Sequence, residues 1–84
     1  MVVFDPDKDE ANRVKHGVSL KRAANLEILA VVDDPRFIEP RKRAYGMIDG
    51  RLFCLAYALR DGQVRAISLR RAHAKEVRRH ALKD

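Results

Sequence analysis

Asp49-Gly50-Arg51-Leu52-Phe53-Cys54-Leu55-Ala56-Tyr57-Ala58-Leu59-Arg60-Asp61-Gly62 is the stretch that decides the fold of this chain. Asp-Gly pairs are strong signals for tight hairpin turns. Between them, residues 51–59 are almost continuously apolar, the pattern of a central strand covered on both faces. Leu52, Phe53, Leu55 and Leu59 are therefore expected to be largely buried. Each turn implies a neighbouring strand. One is expected over about 36–47 and is strongly basic, with Arg36, Arg41, Lys42 and Arg43; Pro40 within it argues for an edge position or a bulge. The other is expected over Val64–Arg70.

Towards the N-terminus, Val2-Val3-Phe4 reads as a short strand. Asp5-Pro6-Asp7 then opens a helix: Asp5 caps free N–H groups, Pro6 suits the first turn, and Asp7, Asp9 and Glu10 complement the dipole. The helix is expected to run to His16 and stop at Gly17. Ser19 caps a second helix over roughly 20–32, apolar around most of its circumference, which must be buried on more than one side or await a partner. A last helix is expected from about Ala72 to Lys83. Ala74, Val77 and Ala81 form its apolar stripe, Arg71, Lys75, Arg78, Arg79 and Lys83 lie on the far side, and His73, Glu76 and His80 line one border. The order β-α-α-β-β-β-α predicts an α+β fold, an antiparallel sheet with helices packed on it, in a single domain of residues 1–84.

With 84 residues there is room for one small sheet and little else, so a polymer gripped on the outside suits the chain better than a metabolite in a deep cavity. The formal charge of +6 is unevenly placed. Residues 1–34 carry 5 basic and 7 acidic side chains, whereas residues 35–84 carry 13 basic and 5 acidic. Such asymmetry points to a polyanionic partner, most simply nucleic acid. The lone Cys54 excludes an intramolecular disulfide and reads as a buried core thiol. No apolar run approaches roughly 18 residues, and no basic-then-apolar leader opens the chain, so a cytoplasmic location is expected.

The segment Asn12-Arg13-Val14-Lys15-His16-Gly17-Val18-Ser19, with Phe4-Asp5 before it, resembles the N-terminal signature of the BrnT toxins. The resemblance continues through Glu39-x-Arg41, Tyr45-Gly46, Asp49-Gly50-Arg51-Leu52, Tyr57-x-x-Arg60 and Ile67-Ser68-Leu69-Arg70-Arg71-Ala72 followed by Glu76, and so spans essentially the whole chain. It departs at the start, where no Trp accompanies Phe4-Asp5, and at His80, where the family often has Tyr. The resemblance implies a fold similar to RelE-type ribonucleases, RNA cleavage without a metal or other cofactor, and a BrnA-like antitoxin carrying a ribbon-helix-helix domain. A homodimer or heterotetramer is compatible with that pairing.

Metal-independent cleavage of RNA needs a base for the 2′-hydroxyl proton, an acid for the leaving 5′-oxygen, and cations for the charge on phosphorus. The candidate catalytic residues are Arg60, Arg70, Glu76, His80 and His16. Arg60 and Arg70 end neighbouring strands and are expected to meet at one rim of the sheet, with Glu76 and His80 beside them on the last helix. Lys15, Arg41, Arg43, Arg51 and Arg71 are the candidate RNA-binding cations. Each has a plainer alternative. Lys15 and His16 favour a helix C-terminus by charge alone. Glu76 and His80, four apart, suit a simple ion pair. His73, Glu76 and His80 share a helix face as metal ligands do, but a zinc would need a fourth ligand from elsewhere. Phe37 and Tyr45 could stack on bases or pack under a helix.

Overall fold

The computed structural model describes residues 2–34, 40–76, 78 and 79. The three-strand meander is present. Strand β3 (Arg41–Ile48), β4 (Arg51–Arg60) and β5 (Gln63–Arg71) pair in antiparallel order with β4 in the middle. Asp49, Gly50, Asp61 and Gly62 all have positive φ. This is the geometry of two-residue hairpin loops whose twist matches the strands, and it explains why Asp-Gly occupies both.

The N-terminal reading also holds for the first helix. After β1 (Val2–Val3), α1 spans Pro6–His16. The Asp5 carboxylate accepts from the Asp7 N–H, and Gly17 closes the helix in the left-handed conformation. Ser19 accepts from the Lys21 N–H at 3.1 Å and donates to Asp9 at 2.8 Å, tying the next segment back onto α1. That hydroxyl, with help from the Leu20 N–H, outweighs the opposing effect of burial and sets the Asp9 carboxyl below its usual range.

The expected helix over 20–32 does not exist. A 3₁₀ helix over Leu20–Asn25 gives way at Leu26 to β2, Glu27–Asp34. A short apolar run cannot be assigned to helix or strand by periodicity alone, and here the β-branched Ile28, Val31 and Val32 win. The sheet therefore has five strands in the order β1-β5-β4-β3-β2. It is mixed rather than antiparallel, because β1 runs parallel to β5. The basic strand begins at Arg41 rather than near 36, leaving Pro40 outside it, and residues 35–39 lie outside the described residues. Of the last helix, the described part is α2, Ala74–Glu76.

The core lies on one face of the sheet. Ala44, Ile48, Leu55, Tyr57, Ala66 and Leu69 pack against Leu20 and Ala23 of the 3₁₀ helix. Gly46 is required where β2 crosses closest, since a Cβ there would stand 2.3 Å from the Glu27 carbonyl oxygen. Leu59 departs from expectation: at the far end of β4 it is 54% exposed, as the core does not extend that far. Edge strand β2 leaves Ile28, Leu29 and Val31 open to solvent. Among the described residues no helix is long and apolar enough to cross a membrane.

Candidate functional site

The opposite face of the sheet is where the chemistry-bearing side chains gather, and a single irregularity in β5 decides which ones. Counting back from the Asp61-Gly62 turn, strict pairing would set Leu69 against Cys54. Instead the register shifts between Ala56 and Tyr57, so that Ala66 pairs with Tyr57 but Ser68 with Ala56 and Arg70 with Cys54. Ile67 is the extra residue. A one-residue shift exchanges the two faces of everything beyond it. The bulge thus delivers Leu69 to the core, where it is fully buried, and Arg70 to the polar face.

Pairing then arranges that face in rows. Tyr45, Cys54 and Arg70 lie side by side on β3, β4 and β5; Arg43, Ala56 and Ser68 form the next row; Arg41, Ala58 and Arg65 the next. The middle strand contributes only small side chains, so the flanking arginines lie over a low floor. Arg43 reaches in two directions, with Nε 4.0 Å from the buried Asp34 carboxylate and Nη1 3.6 Å from Glu76.

Arg70 and Glu76 form a bidentate pair, Nη1 to Oε1 at 2.6 Å and Nη2 to Oε2 at 2.9 Å. The Tyr45 hydroxyl donates to Oε2 at 2.7 Å, and the His73 backbone N–H to Oε1 at 3.0 Å. Arg70 above all, with these further donors, holds the Glu76 carboxyl far below the usual range despite partial burial. Burial first, then the Glu76 bond, raises the Tyr45 phenol, which stays protonated. Burial likewise raises Cys54, leaving it a thiol at neutral pH.

Beside this cluster, an open groove of about 390 Å³ runs between α1 and β5, lined by Lys8, Lys15 and His16 on one side and Ser68 and Arg70 on the other. A second depression, holding Arg41, Arg43 and Cys54, shares Ile67, Ser68 and Arg70 with it. The two form one continuous cationic surface. His16 is lowered from its ordinary value, chiefly by burial and then by the charges of Lys15 and Arg70, and is therefore neutral at pH 7.

The structure thus brings His16, Lys15, Arg70, Glu76, Arg41 and Arg43 onto one surface. It separates Arg60, which pairs with Gln63 at the opposite end of β4. Six residues of strand between Cys54 and Arg60 span about 20 Å, so the two arginines do not share a rim. Arg51 is exposed beside the other hairpin, in a depression with Arg22 and Asp49. Arg71 sits on the core side of the sheet, its guanidinium 5.9 Å from the Phe53 ring centre. His80 lies outside the described residues, as do Glu39 and Phe37. Tyr45 packs beneath α2 with no exposed surface rather than standing free to stack on a base.

A family model described as the ribonuclease toxin BrnT of type II toxin–antitoxin systems matches residues 4–76. The chain belongs to the BrnT family. It is accordingly a ribonuclease toxin of a type II toxin–antitoxin system, with RNA as its substrate class and an antitoxin as its partner. The crystal structure of the Brucella abortus ribonuclease toxin BrnT superposes with a TM-score of 0.64 at 23% identity, covering 86% of this chain and 95% of that one. At this identity the superposition speaks for the fold, including the mixed sheet. Among curated proteins no relative matches.

Proposed function

We propose that the groove between α1 and β5 holds single-stranded RNA and cleaves it without a metal, through attack of a 2′-hydroxyl on the adjacent phosphodiester. The O2′–P bond forms and the P–O5′ bond breaks. The 2′-hydroxyl proton passes to His16, the leaving 5′-oxygen takes a proton from solvent, and the products are a 2′,3′-cyclic phosphate and a 5′-hydroxyl end. Arg70 faces the phosphate and stabilises the charge developing on it, with Arg43 beside it; Lys15 adds positive charge, and Arg41 holds a neighbouring phosphate. The observation that carries this reading is that a neutral imidazole and a buried-edge guanidinium, His16 and Arg70, line the same groove. In the RNA-free protein the Glu76 oxygens are engaged by Arg70, Tyr45 and His73, so the role of base goes to His16.

Incubating end-labelled RNA with the purified protein tests the proposal. Turnover that persists in EDTA and leaves cyclic-phosphate ends supports it. Stoichiometric protection without cleavage would make the protein a silent RNA-binding module. The antitoxin is taken to be of the ribbon-helix-helix class, and the exposed Ile28, Leu29 and Val31 of edge strand β2 give it apolar surface to cover. Sedimentation with the product of the adjacent reading frame checks this; a strict monomer indifferent to that product argues against it.

A further inference from the structure

The Glu76 carboxylate is held as a bound anion would be. Donors from three separate places converge on it: the Arg70 guanidinium on β5, the Tyr45 hydroxyl on β3 and the His73 N–H ahead of α2, with Arg43 at 3.6 Å. The ligand they surround belongs to α2. No described residue of α2 is buried, and among the described hydrogen bonds and ion pairs it is the Glu76 carboxylate that fastens α2 to the sheet. With Asp34 also facing Arg43, the two guanidiniums are balanced by two carboxylates while Glu76 fills the seat, and the seat turns positive once Glu76 leaves. The end-on fork of an arginine binds a carboxylate and a phosphodiester with the same bidentate geometry. Tyr45, buried and protonated, donates equally well to either.

We propose that the Arg43–Tyr45–Arg70 cradle is the seat of the substrate phosphodiester and that Glu76 is a stand-in for it, an anion of the chain's own that leaves when RNA arrives. The inference rests on the RNA-cleaving reading above and adds a regulated step to it. A phosphodiester carries one negative charge, as the carboxylate does, so the exchange preserves the charge of the cradle. The seat that Glu76 fills brings all three side-chain donors to one anion. Glu76 is then a competitor of the substrate and sets how much of the protein is open to RNA.

Binding of an all-deoxy oligonucleotide, which has no 2′-hydroxyl and is not cleaved, separates this from catalysis. Fluorescence anisotropy is measured at one fixed salt concentration on wild type, Glu76→Gln, Glu76→Asp, Glu10→Gln, Arg70→Ala and Arg70→Ala/Glu76→Gln. Glu76→Asp keeps the charge but withdraws it by one methylene; Glu10→Gln removes an equal charge from an exposed position on α1. A seat filled most of the time lowers apparent affinity by its free fraction, so both Glu76 variants should bind about fivefold tighter or more, with Glu10→Gln within about twofold of wild type. The gain should vanish in the Arg70→Ala background. Equal or weaker binding by both Glu76 variants overturns the proposal and makes Glu76 a positioning residue for Arg70. A gain that survives Arg70→Ala, or that Glu10→Gln matches, also overturns it, since bare charge would then suffice. Circular dichroism of each variant establishes that the fold is retained. If RNA is cleaved but the Glu76 variants bind no tighter, the stand-in fails alone; if no RNA is cleaved, the reading beneath it fails.

Discussion

Replacing Asn12 by Ala should cost this domain a large part of its stability, and the structure says why. Asn12 is 5% exposed and faces the outer edge of β5. Its Nδ2 donates to the Leu69 carbonyl at 2.9 Å and to the Val18 carbonyl at 2.8 Å, while its Oδ1 accepts from the Leu69 N–H at 3.0 Å. Strand β1 covers that edge at Val64 and Arg65, and among the described residues no strand pairs with Leu69 there. The amide side chain supplies the donor and acceptor a sixth strand would have supplied. Truncation leaves both Leu69 groups buried and unpaired, at about 1–3 kcal/mol each. A total near 3–5 kcal/mol is expected, against the roughly 4–13 kcal/mol typical of a domain this size. Urea denaturation followed by circular dichroism measures it, with the exposed Glu10→Ala on the same helix as the control, expected within about 0.5 kcal/mol. Because Asn12 also fastens α1 to β5, cleavage should fall even where the variant is still folded, as His16 loses its place opposite Arg70. A loss below about 1 kcal/mol would refute the reasoning, since it would mean that the Leu69 groups find other partners at no cost.

Arg70→Ala should lower the cleavage rate by about 10²-fold or more, whereas Arg78→Ala, at an exposed position, should change it little; single-turnover assays on a short RNA compare them. With His16 lowered from its ordinary value, the rate should rise with pH through the acidic range, level off, and lose that limb in His16→Ala; an unchanged profile in the variant removes His16 from the mechanism. The Glu76 carboxyl lies lower in the folded chain than its ordinary 4.5, so its contribution to stability is complete above that value and is lost as pH falls below it. Acid titration of thermal stability should therefore fall less steeply in Glu76→Gln than in wild type; parallel curves would contradict the assignment.

The meander was legible because its signals are local: two Asp-Gly turns and an apolar run between them. The cap of α1 was legible for the same reason. Strand β2 was not, because Leu26-Glu27-Ile28-Leu29-Ala30-Val31-Val32 satisfies a buried helix as well as a strand, and only pairing with β3 decides. The parallel contact of β1 with β5 joins residues far apart in sequence and leaves no local mark. The rim shared by Arg60 and Arg70 was a misreading that the sequence itself could have prevented, since a tight turn at Asp61-Gly62 sets Arg60 beside Gln63 and sends Arg70 to the other end. The bulge left a trace as well: Ala66 and Leu69 both face the core although three residues apart, which strict alternation forbids. Tyr45 and Asn12 carried no chemical signature of their own; their roles come from register and from an unpaired strand edge.

The parallel contact also bears on the order in which this molecule assembles. Val2 pairs with Val64, across almost the whole chain, whereas the strands of the meander meet across two-residue turns. Closing the long loop costs more chain entropy and is repaid only once β5 is in place to receive β1. The segment bearing Lys15 and His16 is thus made first and docked last. Near-zero φ-values at Val3 and Asn12 alongside high ones at Leu55 would be the kinetic signature of that sequence of events, and their reversal would contradict it. On this order a partly folded chain has its arginines in position before its imidazole, and the nuclease exists only once folding is complete.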